Sequence, residues 1–178
     1  MANDATPTPL HTHIRHADSM DVIKIQQLAR LSWEQNYAEM LPPEQIAYML
    51  ENMYGERTLR EHFANPNYHY LLLSVKDARG WETIGFIGFE HGYELKTTKL
   101  HRLYFLKEYT GKGLGAKLIA PMLEAVKHAG DERVILQVNK RNAAARFYER
   151  MGFAVYDAAV LDIGGGYVMD DYLMEYKM

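Results

Sequence analysis

Apolar residues recur every three or four positions in the first third of the chain, which predicts helices. The first helix follows Asp18 or Ser19, because residues of these types accept hydrogen bonds at helix starts. The second helix begins at residues 42–43, where proline suits the first helical turn. A third short helix is expected over residues 56–63, and a short strand over residues 13–16 precedes all of them.

From residue 68 onward the pattern changes to stretches rich in aromatic and β-branched residues, which are typical of strands. The elements predicted here are strands 68–75, 83–89 and 99–106, a helix starting at Leu114, strand 133–138, helix 142–150, and strands 154–160 and 172–176. This order predicts an α/β fold with a mixed, partly antiparallel central sheet flanked by helices, β-α-α-β-β-β-α-β-α-β-β apart from the third short helix. Without an internal repeat or a boundary, residues 1–178 are expected to form one domain with a flexible N-terminus over residues 1–11.

Composition excludes several classes of protein. Lys and Arg total 20 against 23 Asp and Glu, so the balance favours neither a nucleic-acid partner nor an anionic membrane. The chain has no cysteine, which excludes disulfides, thiolate zinc sites and a cysteine nucleophile. We see no signal peptide and no membrane span, and therefore expect a cytoplasmic protein. His11, His13 and His16 lack carboxylate neighbours, so no metal site is expected.

Glycines at alternate positions, Gly111, Gly113 and Gly115, stand where a predicted strand gives way to a helix. Without a Cβ atom, consecutive N–H groups can converge on an anion, and the start of the helix adds its positive end. This pattern is typical of a phosphate site. It is not a P-loop, since Lys-Ser/Thr is missing, and the spacing differs from the GxGxxG of dinucleotide sites.

Two segments resemble signatures of the GNAT family of N-acetyltransferases. Residues 109–115 are similar to its acetyl-CoA pyrophosphate loop, Gln/Arg-x-x-Gly-x-Gly/Ala, with Thr110 in the place of Gln or Arg. Residues 142–153 are similar to its Asn-x-x-Ala-x-x-x-Tyr-x-x-x-Gly-Phe pattern. The predicted order of elements also matches the family from residue 12 to the C-terminus, so the resemblance covers nearly the whole chain.

The resemblance implies acetyl-CoA as co-substrate and no metal. A strand edge would pair with the amide-rich pantetheine arm, and backbone N–H groups of the glycine turn would hold the pyrophosphate. Lys112 would add charge there, and Asn142 would both cap its helix and hydrogen-bond the arm. The residues implied for the cofactor are Leu103, Tyr104, Phe105, Gly111, Lys112, Gly113, Leu114, Gly115, Ala116 and Asn142.

The resemblance also assigns Tyr148 as the general acid that protonates the leaving thiolate. The general base is open. The position where some family members carry a glutamate holds Gln137, whose amide cannot accept a proton. His101 lies close to that place, and an ordinary histidine pKa near 6.5 suits a base. The rival candidates for the base are Glu90, Asp170 and Asp171.

Specificity in such folds comes from the first helices and the last strands. Trp33 and Tyr37, with Tyr48 and Met49, are candidates for an aromatic wall that holds a cationic amine, although ordinary core packing is the better account of each of them taken singly. Residues 164–166, all glycine, indicate a flexible loop. The Tyr-rich, acidic tail is similar to that of polyamine acetyltransferases.

We therefore expect direct transfer of an acetyl group to a primary amine of a small molecule within a ternary complex. A non-catalytic acyl-CoA-binding sensor is the alternative that Gln137 and Thr110 favour. A protein acetyltransferase is a third reading, against which the bulky Trp33 and Tyr37 argue. The sequence leaves a homodimer open.

Overall fold

The part of the chain that the structure describes, residues 9–178 of a computed structural model, forms seven strands and five helices. The strands are β1 (Thr12–His16), β2 (Tyr68–Asp77), β3 (Gly80–Glu94), β4 (Thr97–Phe105), β5 (Arg133–Asn139), β6 (Ala154–Gly164) and β7 (Tyr167–Lys177). The helices are α1 (Val22–Asn36), α2 (Pro43–Tyr54), α3 (Glu56–Ala64), α4 (Leu114–Ala129) and α5 (Ala144–Arg150). No helix of the described chain combines the length and apolar character needed to cross a lipid bilayer.

All strands join one sheet in the order β1-β2-β3-β4-β5-β7-β6. Neighbours are antiparallel except β4 and β5, which are parallel. The predicted fold class and order of elements are confirmed, and the short third helix is present as α3. Of the expected flexible segment 1–11, residues 1–8 lie outside the described chain, whereas the His11 carbonyl accepts a hydrogen bond from the Lys76 N–H.

The last two strands are longer than predicted. Together they form a hairpin whose connection is Gly165 and Gly166, with φ angles of 62° and 79°. Two consecutive positive φ angles are what tight hairpin turns demand, and glycine adopts them without strain. Residues 164–166 are therefore a tight turn instead of the expected loop, and Asp170 and Asp171 belong to β7.

The core lies where the apolar faces of the helices meet the sheet. In α1, Ile25 and Ala29 are fully buried, and in α4 the stripe Leu118, Met122 and Val126 is fully buried as well. Their spacing of three or four residues keeps them on one face of each helix. Burial of an aliphatic side chain of this size contributes about 1.5–3 kcal/mol, so these stripes fix both helices against the sheet.

The pairing of β4 and β5 is short. In the described chain it runs from Thr97↔Arg133 to Lys99↔Ile135, after which β4 continues beside β3 and β5 beside β7. His101 is the additional residue of a β-bulge, because Gly88 pairs with Arg102 and Phe89 with Leu100. The two central strands thus separate and leave an open edge on each.

Candidate active site

A cleft of about 910 Å³ fills the space where β4 and β5 separate. Its walls come from these two strands, from the start of α4, from α5, from α1 and α2, and from the β6–β7 hairpin. We call the end formed by residues 109–116 and α5 the loop side. We call the end formed by Met49, Leu161, Ile163, Met169 and Asp171 the β7 side.

Glycine is required at the loop side for two different structural reasons. Gly111 and Gly113 both have a φ of 73°, and a Cβ atom at either would meet nothing within 4 Å, so the backbone conformation requires them. A Cβ atom on Gly115 would lie 2.7 Å from Cζ of Phe147 in α5, so close packing requires that glycine. Gly115 therefore joins the two sequence motifs, a role that the sequence analysis missed.

Helix α4 begins at Leu114, directly after this turn. The first N–H groups of a helix have no acceptor within it, and here the residues that carry them, from Leu114 to Ala116, line the cleft. Lys112 is exposed, lies outside the residues that line the cleft, and has its Nζ 5.3 Å from the centre of the Tyr109 ring. The loop side thus offers main-chain donors and Arg150 at the cleft, and the exposed charge of Lys112 beside it.

Leu103, Tyr104 and Phe105 line the cleft along the open edge of β4. Their other edge pairs with β3, as in Leu103↔Ile87. The Phe105 carbonyl is already engaged, since it accepts a hydrogen bond of 3.1 Å from Oγ of Ser32. The open edge available to a ligand is therefore shorter at this carbonyl than the sequence analysis expected.

Asn142 connects α5 with α1. Its Oδ1 accepts a hydrogen bond of 2.9 Å from the Ala144 N–H, and its Nδ2 donates one of 3.0 Å to the phenol oxygen of Tyr37. Asn142 was expected to cap its helix, but α5 begins at Ala144 with Ala143 at its N-cap, so Asn142 instead binds the first N–H of α5 from one residue before the cap. The contact with Tyr37 was not foreseen.

Tyr148 lies on α5, is 8% exposed and lines the cleft. Burial raises the pKa of its phenol well above the ordinary value. Its ring packs edge-on against Phe153, with the ring centres 5.7 Å apart. The side chain is thus a fixed, protonated phenol at the cleft wall across the physiological pH range.

His101 projects from the β4 bulge into the cleft wall. Its Nε2 lies 3.0 Å from Oε2 of Glu90, and its ring stacks on Tyr68 with centres 5.0 Å apart. Burial and the neighbouring Arg102 lower the pKa of His101 to about 3. The ordinary histidine pKa assumed in the sequence analysis therefore does not hold, and the neutral ring is a weak base.

Burial is the larger cause of this shift, and the second is a buried arginine that the sequence analysis missed. Arg102 is 6% exposed, and its guanidinium donates to the phenol oxygens of Tyr68 and Tyr70 and to the Met53 carbonyl. Its Cζ also lies 4.7 Å from the centre of the Tyr54 ring. Its partners in the described chain are phenols, a carbonyl and π faces and include no carboxylate, so it repels protons from nearby imidazoles.

Asp171 is the acidic residue that faces the cleft from β7. It is 6% exposed, pairs across the sheet with Asn139 and Ala159, and lines the cleft. Its Oδ1 is buried and receives no hydrogen bond from any described residue. Burial and the adjacent Asp170 raise the pKa of Asp171 to about 6. Of the four candidate bases, His101 and Asp171 line the cleft, whereas Glu90 and Asp170 do not.

The aromatic wall is partly as expected. Trp33 and Tyr37 are buried, line the cleft and stack with ring centres 4.5 Å apart. Met49 lines the β7 side. Tyr48 does not line the cleft but donates a hydrogen bond of 3.1 Å to the Ile163 carbonyl, and so supports the hairpin.

Comparison with known proteins agrees with this architecture. The family described as Acetyltransferase (GNAT) family matches residues 25–153, and the chain therefore belongs to the GNAT family of N-acetyltransferases, as its two motifs predicted. A spermidine N(1)-acetyltransferase of Thermoplasma acidophilum is 28% identical over 149 residues, which cover 81% of this chain and 89% of that protein.

Solved structures give the same result. The PaiA N-acetyltransferase of Thermoplasma acidophilum, solved in complex with coenzyme A, has a TM-score of 0.77 and 26% identity, and the match covers 94% of this chain and 99% of that one. A GCN5-related N-acetyltransferase of Rhodopseudomonas palustris shares the fold with a TM-score of 0.76 at 16% identity, covering 96% of this chain and 99% of that one.

Proposed function

We propose that this protein transfers the acetyl group of acetyl-CoA to a primary amine of a small molecule by direct attack in a ternary complex. The observation that carries the proposal is the cleft itself. It joins a glycine turn and a helix start at one end to the apolar side chains and the buried carboxylate of Asp171 at the other. The similarity to a spermidine acetyltransferase and to a coenzyme A complex supports both halves of the proposal.

The residues of the loop side fit coenzyme A. Space is open around Gly111 and Gly113, and unpaired main-chain N–H groups of the first turn of α4 adjoin it, which suits a diphosphate. Gly113, Leu114, Gly115 and Ala116 would hold the pyrophosphate, and the β4 edge at Leu103 and Tyr104 the pantetheine arm. When bound, acetyl-CoA supplies the activated acetyl group as a thioester.

Tyr148 suits the role of general acid. Because burial raises the pKa of Tyr148, the phenol is protonated at physiological pH and can donate its hydrogen bond, and then its proton, to the sulfur on which negative charge develops. Direct attack is favoured because the chain has no cysteine and because the Ser32 hydroxyl in the cleft is engaged with the Phe105 carbonyl. No cysteine thiol is therefore available to carry an acyl group, and the Ser32 hydroxyl is not free to do so.

The β7 side favours a small acceptor over a peptide. Helix α2 is tied to the hairpin by hydrogen bonds from Nε2 of Gln45 to the Val168 carbonyl, at 3.3 Å, and from Tyr48 to the Ile163 carbonyl. A long groove for a polypeptide would need these two elements apart. A short stretch of 55 residues is 40% identical to N-alpha-acetyltransferase 30 of Schizosaccharomyces pombe, but it covers 30% of this chain, so we give the protein substrate second place.

A panel of primary amines with acetyl-CoA and a free-thiol readout tests the proposal. We expect thiol release with at least one small amine, and about a 10- to 100-fold lower kcat in Tyr148→Phe at unchanged coenzyme A affinity. Tyr93→Phe, a change at an exposed tyrosine, is the matched control. Tight coenzyme A binding without transfer to any amine would favour the sensor instead, and full turnover of Tyr148→Phe would remove Tyr148 from the chemistry.

A further inference from the structure

We propose that Asp171 binds the ammonium group of the acceptor and takes its proton, and that the acceptor is a primary alkylamine with hydrocarbon next to the nitrogen. This inference rests on the proposed function and adds to it the base that the sequence analysis left open.

The first support is the isolation of the carboxylate. Asp171 is only 6% exposed, and its side chain lines the cleft. Its Oδ1 receives no hydrogen bond from any described residue. Asp170 next to it is exposed and lies 2.6 Å from Nζ of Lys140. A buried carboxylate without a cation or a donor is costly, so the site gains when a cationic ligand arrives.

The second support is that the other candidate bases are engaged elsewhere. Glu90 accepts hydrogen bonds from Asn65, at 3.1 Å, and from His101, and it does not line the cleft. His101 is neutral and sits beside the Arg102 guanidinium, which repels an ammonium. Among the candidate bases, Asp171 is thus the one that lines the cleft as a carboxylate without a hydrogen-bond or ion-pair partner in the described chain.

The third support is the chemistry around the carboxylate. The other residues of the β7 side are apolar: Met49, Leu161, Ile163 and Met169. The cross-strand neighbour of Asp171, Asn139, is polar and also lines the cleft. Thioether and aliphatic groups adapt to a flexible hydrocarbon chain but give no hydrogen bond to a polar one. An ammonium held by one carboxylate and followed by methylene groups matches this lining.

The proton balance follows. The acceptor R–NH3+ gives one proton to the Asp171 carboxylate, and the nitrogen lone pair then forms the C–N bond with the thioester carbon. The C–S bond breaks, the sulfur leaves with that electron pair, and it takes a proton from Tyr148. The second proton of the nitrogen restores the Tyr148 phenol, and Asp171 releases its proton to solvent with the product.

The charged groups that act on Asp171 are few. Asp170 on the same strand and Lys140 at the end of β5 act in opposite directions on its pKa, and Arg141 and Glu39 also line the cleft. Asp171 must be ionised to accept a proton. Because its pKa is raised to about 6, kcat/KM should fall below that pH in the wild type.

The test compares Asp171→Asn with Asp170→Asn, using hexylamine as acceptor and hexyltrimethylammonium as a cation that cannot be acetylated. For Asp171→Asn we expect about a 100-fold loss of kcat/KM or more, loss of the acid limb near pH 6, and about 10-fold weaker binding of the quaternary cation by calorimetry. We expect its Tm at pH 8 to be equal or higher, since a neutral amide removes a buried charge. Asp170→Asn should retain the wild-type kcat/KM at pH 8 and cation affinity within about threefold, and its acid limb should move to lower pH because Asp170 contributes to the raised pKa of Asp171.

The outcomes separate the two levels of the argument. If the wild type acetylates amines and Asp171→Asn matches it in rate, pH profile and cation binding, the assignment of Asp171 is wrong and the acetyltransferase stands. If Asp171→Asn loses activity with a much lower Tm and unchanged cation binding, the role is structural and the assignment is again wrong. A wild type inactive on every amine overturns the proposed function itself.

Discussion

The loop side and the β7 side of the cleft are built by opposite means. The loop side, with the β4 edge that leads into it, presents main-chain groups from one continuous stretch, residues 103–116, and Gly111 and Gly113 leave open space beside the backbone. The β7 side presents side chains that come from distant parts of the chain, such as Met49, Leu161 and Asp171. The first can serve any protein that needs the same cofactor, whereas the second is where a particular acceptor would be chosen.

The two sides also differ in their charges. The loop side is open to solvent, and its cations, such as Lys112 and Arg150, are exposed. The β7 side and the adjoining bulge hold Arg102 and Asp171, both buried and neither paired with an opposite charge among the described residues. Buried charges of this kind lower stability, so we interpret them as features retained for ligands and not for folding.

The largest expected effect tests whether the loop side acts through its backbone. Gly113→Val places a β-branched residue at a φ of 73°, which costs about 1–2 kcal/mol of stability and displaces the N–H groups at the start of α4. We expect coenzyme A affinity, measured by calorimetry, to fall by about 100-fold, or about 2.7 kcal/mol.

The matched control is Gly130, which ends α4 with a φ of 79° and, like Gly113, has no atom within 4 Å of its Cβ position. Gly130→Val should lower the Tm by a similar amount and leave coenzyme A affinity unchanged. Equal affinities of both variants and the wild type would show that the loop side does not bind through this turn.

The same contrast explains what the sequence could and could not predict. A strand, a turn and a helix start that follow one another in the sequence keep their spacing in the folded protein, so residues 103–116 could be recognised as a candidate binding site. The contact between Gly115 and Phe147 joins two separate motifs, and spacing within either motif does not show it. The β-bulge that turns His101 toward the cleft depends on its register with β3, which a single strand does not reveal.

The end of the chain was harder to predict for a physical reason. Strand β6 is mostly exposed, so it lacks the alternation of buried and exposed residues by which strands are recognised. Asp170 and Asp171 stand side by side in the sequence, and only the pairing of Asp171 with Asn139 decides which one faces the cleft. Register, which depends on the whole sheet, separates the exposed acid from the buried one.

The next largest effect tests the electrostatics around the bulge. Burial lowers the pKa of His62 and of His101 to about 3, below the 6.5 of an unfolded chain. Between these values the unfolded state binds more protons, so stability is complete above pH 6.5 and falls as the pH drops toward 3. Each histidine should contribute a loss of up to about 1.4 kcal/mol per pH unit, measured by urea unfolding at pH 7.5, 6.5 and 5.5.

His101→Gln should flatten this slope, whereas His128→Gln, at an exposed position, should leave it as in the wild type. A steeper slope in His101→Gln would mean that the contact with Glu90 dominates and that the ring is protonated in the folded protein. The bulge would then hold a protonated His101 paired with Glu90, and the contrast between exposed charges on the loop side and unpaired buried charges beside the β7 side would no longer hold.

A smaller effect tests the connection between the sides at Asn142. Asn142→Ala removes both the bond to the Ala144 N–H and the bond to Tyr37, and should cost about 1 kcal/mol of unfolding free energy. Asn142→Asp keeps the acceptor for Ala144 and loses only the donor to Tyr37, so it should retain stability and change the KM of the amine. Equal stability of both variants would show that the hydrogen bond from the Ala144 N–H to Oδ1 of Asn142 contributes nothing to the free energy of unfolding.

The smallest effect on coenzyme A binding is expected at Lys112, an exposed positive charge of the loop side. Because its ammonium is exposed and lies outside the cleft lining, it should act on a bound diphosphate only through water and counterions. Lys112→Ala should weaken coenzyme A binding by about threefold at low salt, and the difference should vanish near 0.5 M salt, with Lys127→Ala at the far end of α4 as control. A loss of about 30-fold that persists in high salt would instead mean that Lys112 moves into direct contact with the ligand. The division between a main-chain loop side and a side-chain β7 side would then fail, because a side chain would dominate binding at both ends of the cleft.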